Sequence, residues 1–240
     1  CNYYVTYRCN AKCGFCDIWE RPSPYVQPEN VKQNLRALKR LGVKVIDFSG
    51  GEPLLHREID ILLTIAKEMG FITTLTTNCL LYPKWAPKLA GKVDMLHFSL
   101  DAPTEAEHNA SRGVDCFEFV MKSIRVAKEL NERPDIIFTV FESNIDQIQH
   151  VYSEISRPNG LVLIINPAFD YNNKNVGASI SDESLKQLTH WGKKKDVYLN
   201  DGFIALRKDG GNHVEDPVCK AASSTVVISP YNELVLPCYH

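Results

Sequence analysis

The sequence predicts an α/β fold: a partial (β/α)6 TIM-like barrel of parallel strands with a small C-terminal β-hairpin extension. Three observations predict it. Short apolar strands alternate with amphipathic helices through six consecutive units. Strands joined in this way lie parallel, with right-handed crossovers. One face of several strands is polar, whereas a purely structural barrel fills its interior with bulky aliphatic residues.

The elements follow in order. Tyr3 to Arg8 reads as the first strand. Glu29 to Leu41 reads as a helix, with Pro28 near its first turn and Gly42 at its end. Val43 to Ser49 is the second strand, and Glu58 to Met69 the next helix, closed by Gly70. Phe71 to Thr77 is a strand and Pro83 to Ala90 a short helix. Val93 to Leu100 is the fourth strand, followed by a long loop and the helix Cys116 to Asn131. Ile136 to Phe141 and Ile145 to Ile155 make the fifth pair; Leu161 to Ile165 and Asp182 to Lys194 make the sixth. From Asp201 onward Gly, Asp, Asn and short strands replace long helices. Val226 to Ser229 and Glu233 to Leu236 read as a hairpin around Pro230, Tyr231 and Asn232. The chain therefore divides into a core, 1–200, and an extension, 201–240. In either an open sheet or a barrel of this type, ligands gather at the C-terminal strand ends.

Composition sets outer bounds. Apolar residues make up 44% and charged residues 23%, as in an ordinary globular protein. A formal net charge of −2 provides no global field for nucleic acid or anionic lipid, and no nucleic-acid partner is expected. No run of ~18 apolar residues marks a membrane span. No signal peptide is visible, and the expected location is cytoplasmic. The chain opens on Cys1 without a Met and stops at His240, so both ends are expected to be trimmed. Eight cysteines in a chain of this length, without an export signal, read as metal ligands or redox groups rather than disulfides.

Three of them fall in one loop directly after the first strand: Cys9, Cys13 and Cys16. Thiolates are the usual ligands of iron–sulfur clusters. Three ligands to a four-iron cluster leave one iron open for a small molecule. Structural zinc prefers four ligands and would need a further Cys or His from elsewhere. A redox pair would use Cys13 and Cys16 and leave Cys9 unexplained.

Further motifs sit on the following strand ends. Gly50-Gly51-Glu52-Pro53 ends the second strand, Thr76-Thr77-Asn78 the third and Ser99-Leu100-Asp101 the fourth, with Arg112-Gly113 downstream. With Cys9, Cys13, Phe15 and Cys16, this ordered set resembles the radical S-adenosylmethionine (SAM) superfamily over most of residues 3 to 145. Cys79 stands where the family usually has Gly. The resemblance implies a [4Fe–4S] cluster on Cys9, Cys13 and Cys16, and SAM bound through its open iron. It implies SAM contacts from Phe15, Gly50, Gly51, Glu52, Asn78, Ser99, Asp101 and Arg112. Glu52 and the adjacent backbone would take the methionine amino group, and Arg112 the carboxylate. Gly50 and Gly51 would let the backbone approach the ligand. Asn144 resembles an Asn frequent after the fifth strand, or caps the next helix. His97 faces the interior. Asn166, Asp170 and Tyr171 follow the sixth strand, where a substrate would lie.

Cys219 and Cys238 flank the hairpin and resemble the opening of a SPASM or twitch extension. That likeness implies ligands for a second iron–sulfur cluster. Two ligands cannot hold a cubane, Asn232 replaces a common turn Gly, and two ordinary cysteines or a disulfide are the alternatives. Cys79 and Cys116 read as small buried apolar groups. The resemblance further implies an enzyme that cleaves SAM reductively to a 5′-deoxyadenosyl radical. The radical would abstract hydrogen from a small-molecule or peptide substrate, with electrons from a donor such as flavodoxin or ferredoxin. The competing reading is a zinc or iron–sulfur binding α/β module without turnover. A methyltransferase-like SAM binder would need a Gly-rich loop after the first strand, where the cysteines stand instead.

Overall fold

The computed structural model describes residues 1–168, 180–208 and 224–235. Its strands are β1 (Asn2–Thr6), β2 (Val45–Gly50), β3 (Ile72–Thr77), β4 (Met95–Ser99), β5 (Asp135–Val140), β6 (Leu163–Pro167), β7 (Val197–Leu199), β8 (Val227–Ile228) and β9 (Leu234–Val235). They form one nine-stranded sheet in the order β7-β6-β5-β4-β3-β2-β1-β8-β9. Strands β1 to β7 run parallel in sequence order, as repeated strand–helix units demand. The expected α/β class and its six units are present, and β7 is an additional parallel strand.

Strand faces alternate as the pattern predicts. Ile46 and Phe48 of β2, Leu96 and Phe98 of β4, and Ile136 and Phe138 of β5 are buried in one core with the helices. Those helices include α1 (Pro28–Arg40), α2 (Ile59–Glu68), α3 (Tyr82–Leu89) and α5 (Phe117–Glu129). The other face carries Asp47, Thr74, Thr76, His97, Ser99 and Thr139. On it, Thr76, His97 and Asp135 share one rung across three strands. Asp47 and Thr74 also share a rung and are hydrogen bonded at 2.5 Å.

Two regions differ from expectation. The loop after β4 contains a helix, α4 (Glu105–Arg112), whose only buried residues are His108 and Arg112. Its buried face is polar, so hydrophobic periodicity does not reveal it. Thr104 caps it by accepting from Glu107 N, and Gly113 ends it in the left-handed region at φ 63°. In the second region, helix Asp201–Lys208 occupies the start of the segment expected to hold only short strands. Asn200 Oδ1 accepts from Gly202 N at 2.9 Å, and Ile204 is buried. A glycine in the first turn hid this helix from the pattern.

The hairpin of β8 and β9 is antiparallel, as predicted, and β8 joins the sheet beside β1. Asn232 has φ 65°, so the Asn that replaces a common turn Gly adopts the conformation Gly favours. Cys79 does the same at φ 70°, with its side chain fully buried.

Candidate functional site

The cysteine loop lies over the C-terminal ends of β1 to β4 and is fastened by its backbone. Lys12 N donates to Arg112 O (3.0 Å) and Gly14 N to Ser111 O (3.2 Å), so the loop satisfies carbonyls that helix α4 leaves open. A Cβ on Gly113 would run into Lys12 O, which explains a glycine at this junction. Cys9, Cys13 and Cys16 are free thiols and partly exposed. Burial pushes the Cys9 thiol up to about 12, and burial also raises Cys16. A bound cationic metal centre reverses that preference by stabilising the thiolate.

Each of the next three strand ends contributes to holding this loop. At β2, Gly51 N donates to Thr6 O and Glu52 N to Arg8 O, both at 2.9 Å. Gly50 has φ 144°, and a Cβ there would fall inside the radius of Thr6 O; on Gly51 it would strike Arg8 O. The close approach these glycines permit is therefore to residues 6–8 of the same chain.

At β3, Asn78 Nδ2 donates to Asn10 Oδ1 (2.8 Å) and lies 4.0 Å from Cys9 Sγ. Its backbone N donates to Glu52 Oε2 (2.9 Å). Glu52 Oε1 accepts from Thr77 Oγ1 (2.8 Å) and Leu54 N (3.1 Å). The Glu52 carboxylate is thus buried and engaged by three donors of its own chain, bracing β2 against β3. Thr77, a partner in that brace, carries no local sign of this role beyond its place in the strand-end motif.

At β4, Asp101 Oδ1 accepts from Thr139 N (3.0 Å), and Oδ2 accepts from Ser111 Oγ (3.4 Å). Arg112 Nε lies 2.6 Å from Asp101 Oδ2 as an ion pair, although its N–H is not aligned as a hydrogen bond. Arg112 Nη1 is 4.0 Å from Cys13 Sγ, and its guanidinium carbon lies 5.5 Å from the Phe15 ring centre. Burial opposes the Arg112 charge, but Asp101 and Cys13 outweigh it and the pKa rises. Phe15 also packs on Phe141 at 5.1 Å. Asn144 Nδ2 donates to Thr139 O (3.0 Å) and Asp101 O (3.4 Å), while its Oδ1 accepts from Phe141 N (2.8 Å). It ties the β4 and β5 ends together besides capping the turn that follows.

Gly51, Glu52, Asn78, Asp101 and Arg112 thus connect, directly or through one neighbour, to the segment 6–16, of which Phe15 is part. Ser99 is buried on the same sheet face as His97. His97 Nδ1 is 3.4 Å from Asp135 Oδ2 without an aligned hydrogen bond. Cys219, Cys238, Asp170 and Tyr171 lie outside the described residues. Among the described residues no three His, Cys, Asp or Glu side chains converge as ligands of one metal ion. No helix among them is long and apolar enough to cross a membrane.

Glu52 yields a stability prediction. Burial raises its pKa from 4.5 to about 7, against the Asn78, Thr77 and Leu54 donors and the Arg112 charge. Between those values the folded chain holds a proton that the unfolded chain has released. This contribution is complete below about pH 4.5 and is lost as pH rises through about 7, roughly 3 kcal/mol in all. Urea unfolding of the metal-free protein at pH 5 and pH 8 should show this slope in the parent and not in Glu52→Gln. Equal slopes in the two proteins would contradict it. The variant should also be weaker at every pH, because its amide N–H2 faces the Asn78 N–H.

With this geometry in view, the chain belongs to the radical SAM superfamily, whose family model matches residues 3–155. Membership implies a [4Fe–4S] cluster and SAM as cofactors. The chain is 32% identical over 111 residues to an S-adenosylmethionine-dependent nucleotide dehydratase, RSAD2, of Siniperca chuatsi, covering 44% of this chain and 31% of that protein. It is 31% identical over 185 residues to a probable GTP 3′,8-cyclase of Thermoplasma volcanium, covering 74% and 55%. Among solved structures, Streptococcus suis SuiB bound to S-adenosylmethionine superposes with a TM-score of 0.78 at 18% identity, covering 98% of this chain and 59% of SuiB. That likeness shows the fold. The chain spans about a third to just over half of the length of these relatives.

Proposed function

We propose that Cys9, Cys13 and Cys16 hold the [4Fe–4S] cluster and that the chain cleaves SAM reductively, using the resulting radical on a small molecule or peptide. The observation that carries this reading is the convergence of four strand ends on one three-thiol loop, with Arg112 beside Cys13. The residues fit the group. Three thiols in one loop, with the Arg112 guanidinium 4.0 Å from Cys13 Sγ, fit a cluster that takes one protein ligand per iron and leaves one iron open. Held by Cys9, Cys13 and Cys16, the cluster would supply the electron for reductive cleavage of the SAM sulfonium.

The chain's own residues bind, orient and shield. Arg112, aimed by Asp101, supplies a buried cation for the SAM carboxylate. The backbone of Gly50, Gly51 and Glu52 offers polar groups to the methionine amine, while the Glu52 side chain fixes that backbone. Asn78 and Ser99 supply polar contacts at neighbouring strand ends, and Phe15 an apolar wall. His97, Thr76 and Asp135 line the polar face where substrate would meet the radical. Electrons come from an external donor such as flavodoxin or ferredoxin. SuiB was also solved with its precursor peptide SuiA, which favours keeping peptides among the substrates to be tried. Cys219 and Cys238 are proposed to begin a second cluster site, and residues 201–240 an extension to the core 1–200.

The test is anaerobic reconstitution with iron and sulfide, reduction by dithionite, addition of SAM and detection of 5′-deoxyadenosine by mass spectrometry. Product is expected from the intact chain. A fully loaded, SAM-bound protein that yields none would return the non-catalytic binding module to first place. Iron counted alongside decides the second cluster: about four per chain means one cubane, about eight means two.

A further inference from the structure

We propose that His108 is a positioning residue for SAM: its ring ties the Asp101 backbone to Cys116 and so sets where Asp101 aims Arg112 at the cysteine loop. This inference rests on the SAM-binding role given to Arg112 above.

His108 is fully buried, one turn before Arg112 on the same face of α4. Its Nδ1 accepts from Asp101 N at 3.1 Å. That bond places the ring proton on Nε2, which lies 3.3 Å from Cys116 Sγ at the start of α5. The ring meets Phe117 edge-on at 6.1 Å. Its neighbour Asn109 accepts from Cys116 N and Phe117 N, both at 2.9 Å, and so locks α4 to α5 independently. With α4 and α5 already joined through Asn109, the imidazole is left to hold the Asp101 N–H, with Cys116 Sγ steadying the other side of the ring. Burial and the Arg112 charge keep its pKa down at about 4, against the pull of Asp101. The ring therefore remains a neutral acceptor at working pH.

From Asp101 the constraint runs outward. The carboxylate that pairs with Arg112 belongs to the residue whose backbone His108 holds, and Arg112 reaches Cys13. A shift of the Asp101 main chain would swing the guanidinium relative to the cluster and to the carboxylate it binds. Loss of a partner standing behind a binding group costs about 10–100-fold in comparable metal sites.

The experiment uses the full chain, reconstituted anaerobically, as parent, His108→Asn, His108→Gln and His108→Leu. Asn places an acceptor near the Nδ1 position; Gln reaches instead toward Cys116, and Leu keeps volume alone. Readouts are iron per chain, the SAM dissociation constant, and the change SAM induces in the EPR spectrum of the reduced cluster. Expected are unchanged iron, SAM binding weakened about 10-fold or more in Leu and Gln with a smaller EPR change, and near-parental behaviour in Asn. A fully loaded Leu variant that binds SAM and shifts its EPR signal as the parent does would overturn the proposal. Should Leu not fold, Asn and Gln decide it, and equal affinities for those two would overturn it. A parent that binds no SAM would sink the proposed function and this inference together. A competent parent with indifferent variants sinks only the role of His108.

Discussion

A variant with Cys9, Cys13 and Cys16 all replaced by alanine is expected to retain the fold, carry almost no iron and release no 5′-deoxyadenosine from SAM. The fold should survive because the loop is fastened through main-chain groups, Lys12 N to Arg112 O and Gly14 N to Ser111 O, which alanine leaves in place. The thiols make only weak contacts with the rest of the chain, such as Asn78 Nδ2 and Arg112 Nη1 at 4.0 Å from Cys9 and Cys13. Loss of product should exceed the roughly 100-fold that removing an outer-shell partner of a metal site can cost. Circular dichroism of the metal-free parent and variant should coincide. Persistent product in the variant, or iron near the parental amount, would refute the ligand assignment.

The second large effect falls on folding. Gly50→Ala should destabilise the chain by more than about 4 kcal/mol, enough to leave most of it insoluble. Two costs add: φ 144° is a conformation L-residues avoid, and the new Cβ would collide with the backbone oxygen of Thr6. That oxygen already accepts from Gly51 N, so relief would require giving up the junction that leads into the cysteine loop. Gly14→Ala is the matched control. It also lies at the site, yet a Cβ there meets nothing within 4 Å. Its unfolding free energy in urea should change by less than about 1 kcal/mol. Comparable losses in both variants would show that glycine is needed here for some reason other than close approach.

Much of this architecture is legible in the order of residues. Alternation along β2, β4 and β5 separates a face packed on helices from a polar face, because successive side chains in a strand point oppositely. Repeated strand–helix units require parallel neighbours in sequence order, and that is the order of β1 to β7. The three-cysteine loop, the glycine pair and the strand-end Asn and Asp are visible as well, since each sits just after a strand.

Other features were settled only by contacts between distant segments. Helix α4 buries His108 and Arg112 instead of an apolar stripe, so its local signs are its ends, Thr104 spaced to Glu107 as a cap and Gly113 as the stop. Gly50 and Gly51 signal a close backbone approach, and residues 6–8 are a segment that comes close; no local pattern states which segment that will be. The Glu52 side chain finds partners at Thr77 and Asn78 at the end of β3, a pairing its neighbours along the chain do not state. What the sequence determined by itself was periodicity and loop chemistry, because these depend on neighbours along the chain. Which buried polar group meets which partner was decided by the tertiary structure, because a desolvated carboxylate or guanidinium must find its hydrogen bonds wherever the fold brings donors and acceptors together.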